Sequence, residues 1–194
     1  LQAASVIGKD VPFVLLEPIA DAGEDRLRRS LTQLQASEFL YETRLFPDLE
    51  YTFRHALTHE VAYGTLLNER RRALHARIVE VMEGLYPDRL AEEVDRLAHH
   101  AFRGEAWDKA LRYLRQAGRK ATSRCAFREA ASYFEQALVS LRHLPDGPQA
   151  TEQAIDLRFD LRSVLVPLGD LAPILEPLRE AERLSLAVGD QRRL

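Results

Sequence analysis

This chain of 194 residues has little of what covalent, redox or membrane chemistry requires. It holds one cysteine, Cys125, so no internal disulfide can form, which suits a reducing compartment such as the cytoplasm. It has no run of about 18 apolar residues, so nothing reads as a membrane span. Residues 1–8 lack the charged start and long apolar stretch of a signal peptide. Positive charge is not in excess: 27 lysines and arginines face 30 acidic residues, a net of −3 with histidines neutral. A dedicated nucleic-acid binder usually carries a clear basic surplus, and this near balance argues against one. The phosphate-cradling pattern GxxxxGK(S/T) is absent, and Gly8-Lys9-Asp10 has neither the upstream glycine nor the hydroxyl residue. The chain alone is therefore not expected to hold ATP or any other cofactor. Paired carboxylates, a nucleophile elbow and a Cys/His ligand set are missing too, so no catalytic or metal residue is assigned and no enzyme is expected in this chain by itself.

Apolar residues make up 46% and charged residues 29%, the balance of a folded globular chain with room for one or two domains. The chain opens on Leu1 with an apolar helical pattern already under way, and it reads as a fragment of something longer.

The period of the apolar residues divides the chain in two. Over 1–86, Leu1, Ala4 and Ile7 predict a helix stopped by Gly8. Pro12 opens a second short helix over 12–20, and Asp21 can cap a third over about 22–37 with Leu27, Leu31 and Leu34 on one face. Residues 39–46 and 49–55 then turn aromatic and β-favouring, with Leu49, Tyr51 and Phe53 alternating, and Pro47-Asp48 supplies the turn of a hairpin. Three helices and a hairpin are the order of a winged helix. A helical pattern resumes at Leu57, Val61 and Leu66, then Leu74, Ile78, Val81 and Met82, ending near Gly84 and Pro87.

Residues 87–194 read as helix with a recurring spacing. Trp107, Ala110, Leu114 and Ala117 are repeated in step by Phe127, Ala130, Phe134 and Ala137, and again by Leu171, Ile174, Leu178 and Ala181. Alternating large and small side chains at helical spacing let two helices nest closely, with Trp107 and Phe127 expected in the core. The copies stand 20 and then 44 residues apart, whereas tetratricopeptide repeats, which the first two copies resemble, recur at about 34. The expectation is a degenerate stack of antiparallel helices. Its clearest loop is 143–148, and Pro167, Pro173 and Pro177 unsettle the last hairpin. The fold class is thus mainly α: a winged-helix domain with one β-hairpin over 1–86, then a helical array over 87–194.

His55 and His59, four residues apart, raise the question of a metal pair, but the order is HxxxH, a third ligand is not evident, and Cys125 is far away. The plainer reading has His55 capping the hairpin-to-helix junction and His59 on the surface. His99 and His100, between Leu97 and Phe102, read as one packed and one solvated ring. Arg112, Arg115 and Arg119 form an i, i+3, i+7 stripe, by default a solvated face, with an anionic partner as the sharper alternative. Arg70-Arg71-Arg72 is read as snorkelling at a domain junction.

The stretch Phe53-Arg54-His55-Ala56-Leu57-Thr58-His59-Glu60-Val61-Ala62-Tyr63 resembles the histidine motif of the winged-helix arm in STAND-type (AAA-like) signalling ATPases. Together with Arg71, Arg72, Leu74, His75 and Ile78, and with the repeats around Trp107 and Phe127, the likeness spans residues 1 to about 140. Relatives of this kind often carry a class III adenylate/guanylate cyclase domain, then the ATPase, then tetratricopeptide repeats. The resemblance implies that His55 senses the phosphates of ATP or ADP held by an upstream P-loop domain in the parent protein. It also implies that a protein or small-ligand partner occupies the helical array. Arg54 and Ala56 stand where many relatives have methionine and aspartate. A DNA-binding winged-helix regulator is the alternative; Glu24-Asp25 in the reading helix and the acidic tip Pro47-Asp48-Leu49-Glu50 oppose it, as do 10 basic against 13 acidic residues over 1–86.

Overall fold

A computed structural model describes residues 1–44, 48–169, 179–184 and 186. The chain is mainly helical with one small antiparallel sheet, and it forms two compact units, Leu1–Asp88 and Arg89–Leu194. Among the described residues, no helix is long and apolar enough to cross a membrane.

The first unit starts with α1 (Gln2–Ile7), which ends on Gly8 at φ 141°, a backbone angle that L side chains rarely adopt. Strand β1 (Asp10–Pro12) and helix α2 (Phe13–Ile19) follow, then α3 (Glu24–Ala36), β2 (Leu40–Arg44), β3 (Glu50–Phe53), α4 (Ala56–Gly64) and α5 (Asn68–Leu85). The sheet order is β1-β3-β2, with Val11 opposite Tyr51 and Leu40 opposite Phe53. The hairpin expected from sequence is therefore two strands of a three-stranded sheet, with β3 at its centre. Pro12 lies in the edge strand β1, where a missing N–H costs no ladder bond, and not in the helix that follows. Three residues are too few to show alternation, so β1 left no trace in the pattern. Thr52, buried between the outer strands, donates to Asp10 Oδ1 at 2.7 Å and lies 3.2 Å from Thr43 Oγ1, which ties all three strands together.

The core of this unit gathers Leu15, Leu16 and Ile19 of α2, Leu27 and Leu31 of α3, Leu40, Tyr51 and Phe53 of the sheet, and Leu74, Ile78, Val79 and Met82 of α5. Each fully buried side chain of this size contributes about 1.5–3 kcal/mol before entropy is counted. Leu57 and Val61, which mark the resumed helical pattern, are 68% and 57% exposed. Helix α4 packs inward through Ala62, His59 and Tyr63, with its larger aliphatic side chains on the other face.

The arginine run is spent inside this unit. Asp21 does not cap α3, whose N-cap is Gly23, because Arg70 binds it and holds that carboxyl below the usual carboxylate range, with Arg77 adding a longer contact of 3.8 Å. Arg71 donates to the carbonyls of Tyr63 and Leu66, at 3.3 and 3.1 Å, and lies over the Tyr63 ring. It thus adds a bond to the Tyr63 carbonyl, which also accepts from Leu66 N–H, and ties down the turn where α4 ends.

The second unit stacks α6 (Val94–Arg103), α7 (Trp107–Ser123), α8 (Phe127–Leu141) and α9 (Pro148–Leu165). Val94, Leu97, Ala98 and Ala101 make the buried i, i+3, i+4, i+7 face of α6. Ala110, Leu114, Ala117, Ala130, Phe134 and Ala137 are all buried, and the Phe134 ring fills the space above Gly118 that a side chain would need. Trp107 and Phe127 depart from expectation, each being only half-buried at the first position of its helix. Trp107 stacks on the exposed His143 ring, with centroids 4.0 Å apart, and meets Phe102 edge-on. The 20-residue step extends to the turns. Ala106 N–H bonds to Ala101 O and Ala126 N–H to Ala121 O, each pinning a left-handed residue, Glu105 or Cys125. Of the third copy, Leu171, Ile174 and Leu178 lie outside the described residues, as do Pro47, Pro173 and Pro177; Ala181 is buried.

Candidate functional site

His55 owes its position to the end of the sheet. Phe53 closes β3 as a buried partner of Leu40, and the Arg54 N–H then bonds to Phe39 O, which carries the strand one residue past its ladder. Extended backbone at His55 (φ −129°, ψ 134°) makes it the residue before α4, and its carbonyl accepts from the Thr58 and His59 amides. The imidazole does not cap the helix; it is exposed, as are Ala56 and Leu57 after it. The first amides of a helix have no partner within the helix, and the first turn of α4 carries no acidic residue. An exposed imidazole therefore stands at the positive end of a helix dipole, an arrangement that favours an anion. Arg54 beside it pairs with Glu38 at 3.3 Å, both half-exposed or more.

His59 faces the other way. Its ring meets Phe53 edge-on at 5.1 Å and stacks against Tyr63 at 6.4 Å, while the Tyr63 hydroxyl lies 3.1 Å from Nε2 of the buried His75. This aromatic column fixes α4 against β3 and α5. The plainer expectation for His59, a place on the surface, does not hold. In the structure it is a half-buried packing residue, because one helical turn after His55 the same face has rotated onto the sheet.

Sequence reasoning missed the apolar surface next to His55. Leu57, Val61 and, just past the helix, Leu67 at 79% exposure leave aliphatic area in water. The available signal was that α4 has two apolar faces, Ala62 with the aromatic residues and Leu57 with Val61, of which one small unit can bury only one.

The arginine stripe lies in the second unit. Arg112 lies over the Tyr113 ring and donates to its hydroxyl at 3.1 Å. Arg115 reaches across to α9, where Nε meets Asp160 and Nη2 meets Asp156, both at 3.2 Å. Arg119 is 60% exposed and has a 3.7 Å contact to the same Asp160 oxygen. The stripe is therefore not a uniform solvated face. Arg115 is a clamp between helices, and the two carboxylates that fix it, four residues apart on α9, went unnoticed in the sequence. All three arginines border a groove of about 750 Å³ between α7 and the start of α9. On α6, His100 is buried and His99 exposed, with rings 5.2 Å apart.

Burial, with Asp95 and Glu129 close by, raises the Tyr133 phenol to about 12. Burial also raises Tyr51, with Glu42 adding to it and Arg28 opposing.

No family model and no solved structure matches the chain. It is 30% identical over 138 residues to an uncharacterized protein of Rhizobium meliloti (strain 1021), an alignment covering 71% of this chain and 13% of that protein. The chain thus corresponds to a small part of the length of that relative.

Proposed function

We propose that this chain is the regulatory and protein-interaction part of a larger, cytoplasmic, nucleotide-switched signalling ATPase, linked to cyclase or transcriptional output. The first unit is the moving winged-helix arm, and the second is a repeat array that receives a protein or small-ligand partner. The observation that carries the reading is His55, exposed at the head of α4 beside uncovered Leu57 and Val61. A ring in that position can donate to a phosphate oxygen held by a neighbouring P-loop domain, and the aliphatic patch offers that domain a surface to rest on. The alignment with a fraction of a much longer protein supports a module that acts with others. Partner binding on the array would shift the arm only if the partner favours one arrangement over the other.

The test joins this chain to a P-loop domain preceding it in a full-length protein and measures ADP retention. His55→Ala should speed ADP release about tenfold, the worth of one charge-assisted hydrogen bond. The 194-residue chain alone should titrate with neither ATP nor duplex DNA. Tight, salt-sensitive DNA binding, or ADP release indifferent to His55, defeats the proposal.

A further inference from the structure

We propose that the groove between α7 and α9 binds a short extended peptide segment bearing an acidic side chain next to an apolar one. The inference rests on the interaction-module reading above and names the partner's chemistry. Leu111 and Leu157, both buried, form the floor with the partly covered Leu144, giving an apolar strip where an apolar side chain can lie. The volume, about 750 Å³, falls in the range of sites that enclose a ligand. The lining of α7 runs from Asp108 to Arg119, a rise of about 16 Å. An extended chain of about five residues covers that distance.

Two features favour a peptide. Gln116 on α7 faces the groove that Gln149 and Gln153 border from α9. Each amide side chain offers both donor and acceptor, the pairing that a strand backbone presents at every residue. The charges of the lining also differ along the groove: Asp108, Asp146 and Arg112 lie toward the 145–148 turn, while Arg115 and Arg119 stand two to three helical turns from Asp108 along α7. At that end Arg115 gives Nε to Asp160 and Nη2 to Asp156, while among the described residues Arg119 makes only the long contact to an oxygen that Arg115 already uses. Its planar fork therefore has donors to give, in a geometry suited to two parallel bonds with an incoming carboxylate. Arg115, held rigid by α9, positions the site, and Arg119 selects.

A random heptapeptide display library panned against the intact 194-residue chain tests this. Enriched peptides should carry Asp or Glu within two residues of Leu, Ile, Val or Phe. For a selected peptide made with a fluorophore, replacing that acid by its amide should weaken binding about tenfold. Arg119→Gln should erase the preference for acid over amide, and Gln153→Ala should weaken both peptides alike. Circular dichroism and the thermal midpoint show that each variant folds. Selection without acidic bias, a basic bias, or acid preference unchanged in Arg119→Gln overturns the proposal. Peptides that bind strongly but are indifferent to both groove variants refute this groove and leave the interaction module standing. Failure to enrich any peptide defeats the groove proposal, and the module reading is then judged by the ADP-release experiment alone.

Discussion

Gly118 gives the sharpest test of how the helical array is packed. A Cβ built on it would stand 2.5, 2.8 and 2.9 Å from three carbons of the Phe134 ring, closer than real Cβ contacts come. Replacing glycine by alanine inside a helix ordinarily gains up to about 1 kcal/mol from backbone propensity. Here the ring must retreat by roughly 1 Å, since ordinary carbon contacts lie near 3.5–4.0 Å. Phe134 is itself 2% exposed and cannot swing into solvent, so overpacking of about 3 kcal/mol is expected, at the upper end of its usual range. The net for Gly118→Ala is a loss of about 2 kcal/mol. Gly84, exposed on α5 with nothing within 4 Å of its built Cβ, is the matched control, and Gly84→Ala should gain about 0.5 kcal/mol. Urea unfolding followed by the fluorescence of Trp107, the chain's single tryptophan, reads Gly118→Ala in the helix where it acts; far-UV circular dichroism reads Gly84→Ala. Adding Phe134→Leu should relieve most of the Gly118→Ala loss, a coupling of about 2 kcal/mol. If Gly118→Ala instead stabilises the protein, or if the two substitutions simply add, α7 and α8 are not nested through this pair.

Three further outcomes follow from single features. Cys125 sits at φ 57° in the turn between α7 and α8, so Cys125→Gly should stabilise by about 0.5 kcal/mol in urea titrations while Cys125→Ala, which keeps a Cβ, should not. Tyr133 is raised to about 12 by burial and by Asp95 and Glu129. The folded state therefore keeps its proton after the unfolded chain has lost it, and stability present below pH 10 should fall as pH rises from about 10 to 12. In Tyr133→Phe that loss should shrink, measured as urea midpoint against pH and as the phenolate absorbance of the folded protein. Arg115→Met should destabilise the array by about 1 kcal/mol, because its two carboxylate partners are partly solvated; Asp160→Asn should cost less, since Asp156 still holds the guanidinium.

The parts of the fold that could be read in the sequence are those whose signal repeats. Ala110, Leu114 and Ala117, echoed by Ala130, Phe134 and Ala137, occur often enough to declare a helical pair, and all six are buried. Tyr51 and Phe53 alternate clearly enough to mark β3. What failed had too few residues or two answers. Strand β1 is three residues long and exists because Val11 pairs with Tyr51 of β3 and Phe13 N–H reaches the Leu49 carbonyl just before that strand, a long-range event that no local pattern records. Leu57 and Val61 mark the resumed helical pattern, yet α4 shows the sheet its aromatic face instead. Trp107 has core chemistry but begins its helix, at the rim where His143 can cover only one side of it.

The same distinction governs the candidate sites. His55 could be singled out because it sits where one period ends and another begins, and a residue between strand and helix has few neighbours to bury it. The role of Arg115 was not legible, since the charges that define it, Asp156 and Asp160, lie over 40 residues away and are paired only by the approach of α9. Once Arg115 is tied to those two, the stripe stops being three equivalent cations and becomes one fixed and one responsive guanidinium beside an apolar floor. Selectivity at such a place comes from the difference between them: a carboxylate that arrives at Arg119 need not displace the clamp that holds the groove open.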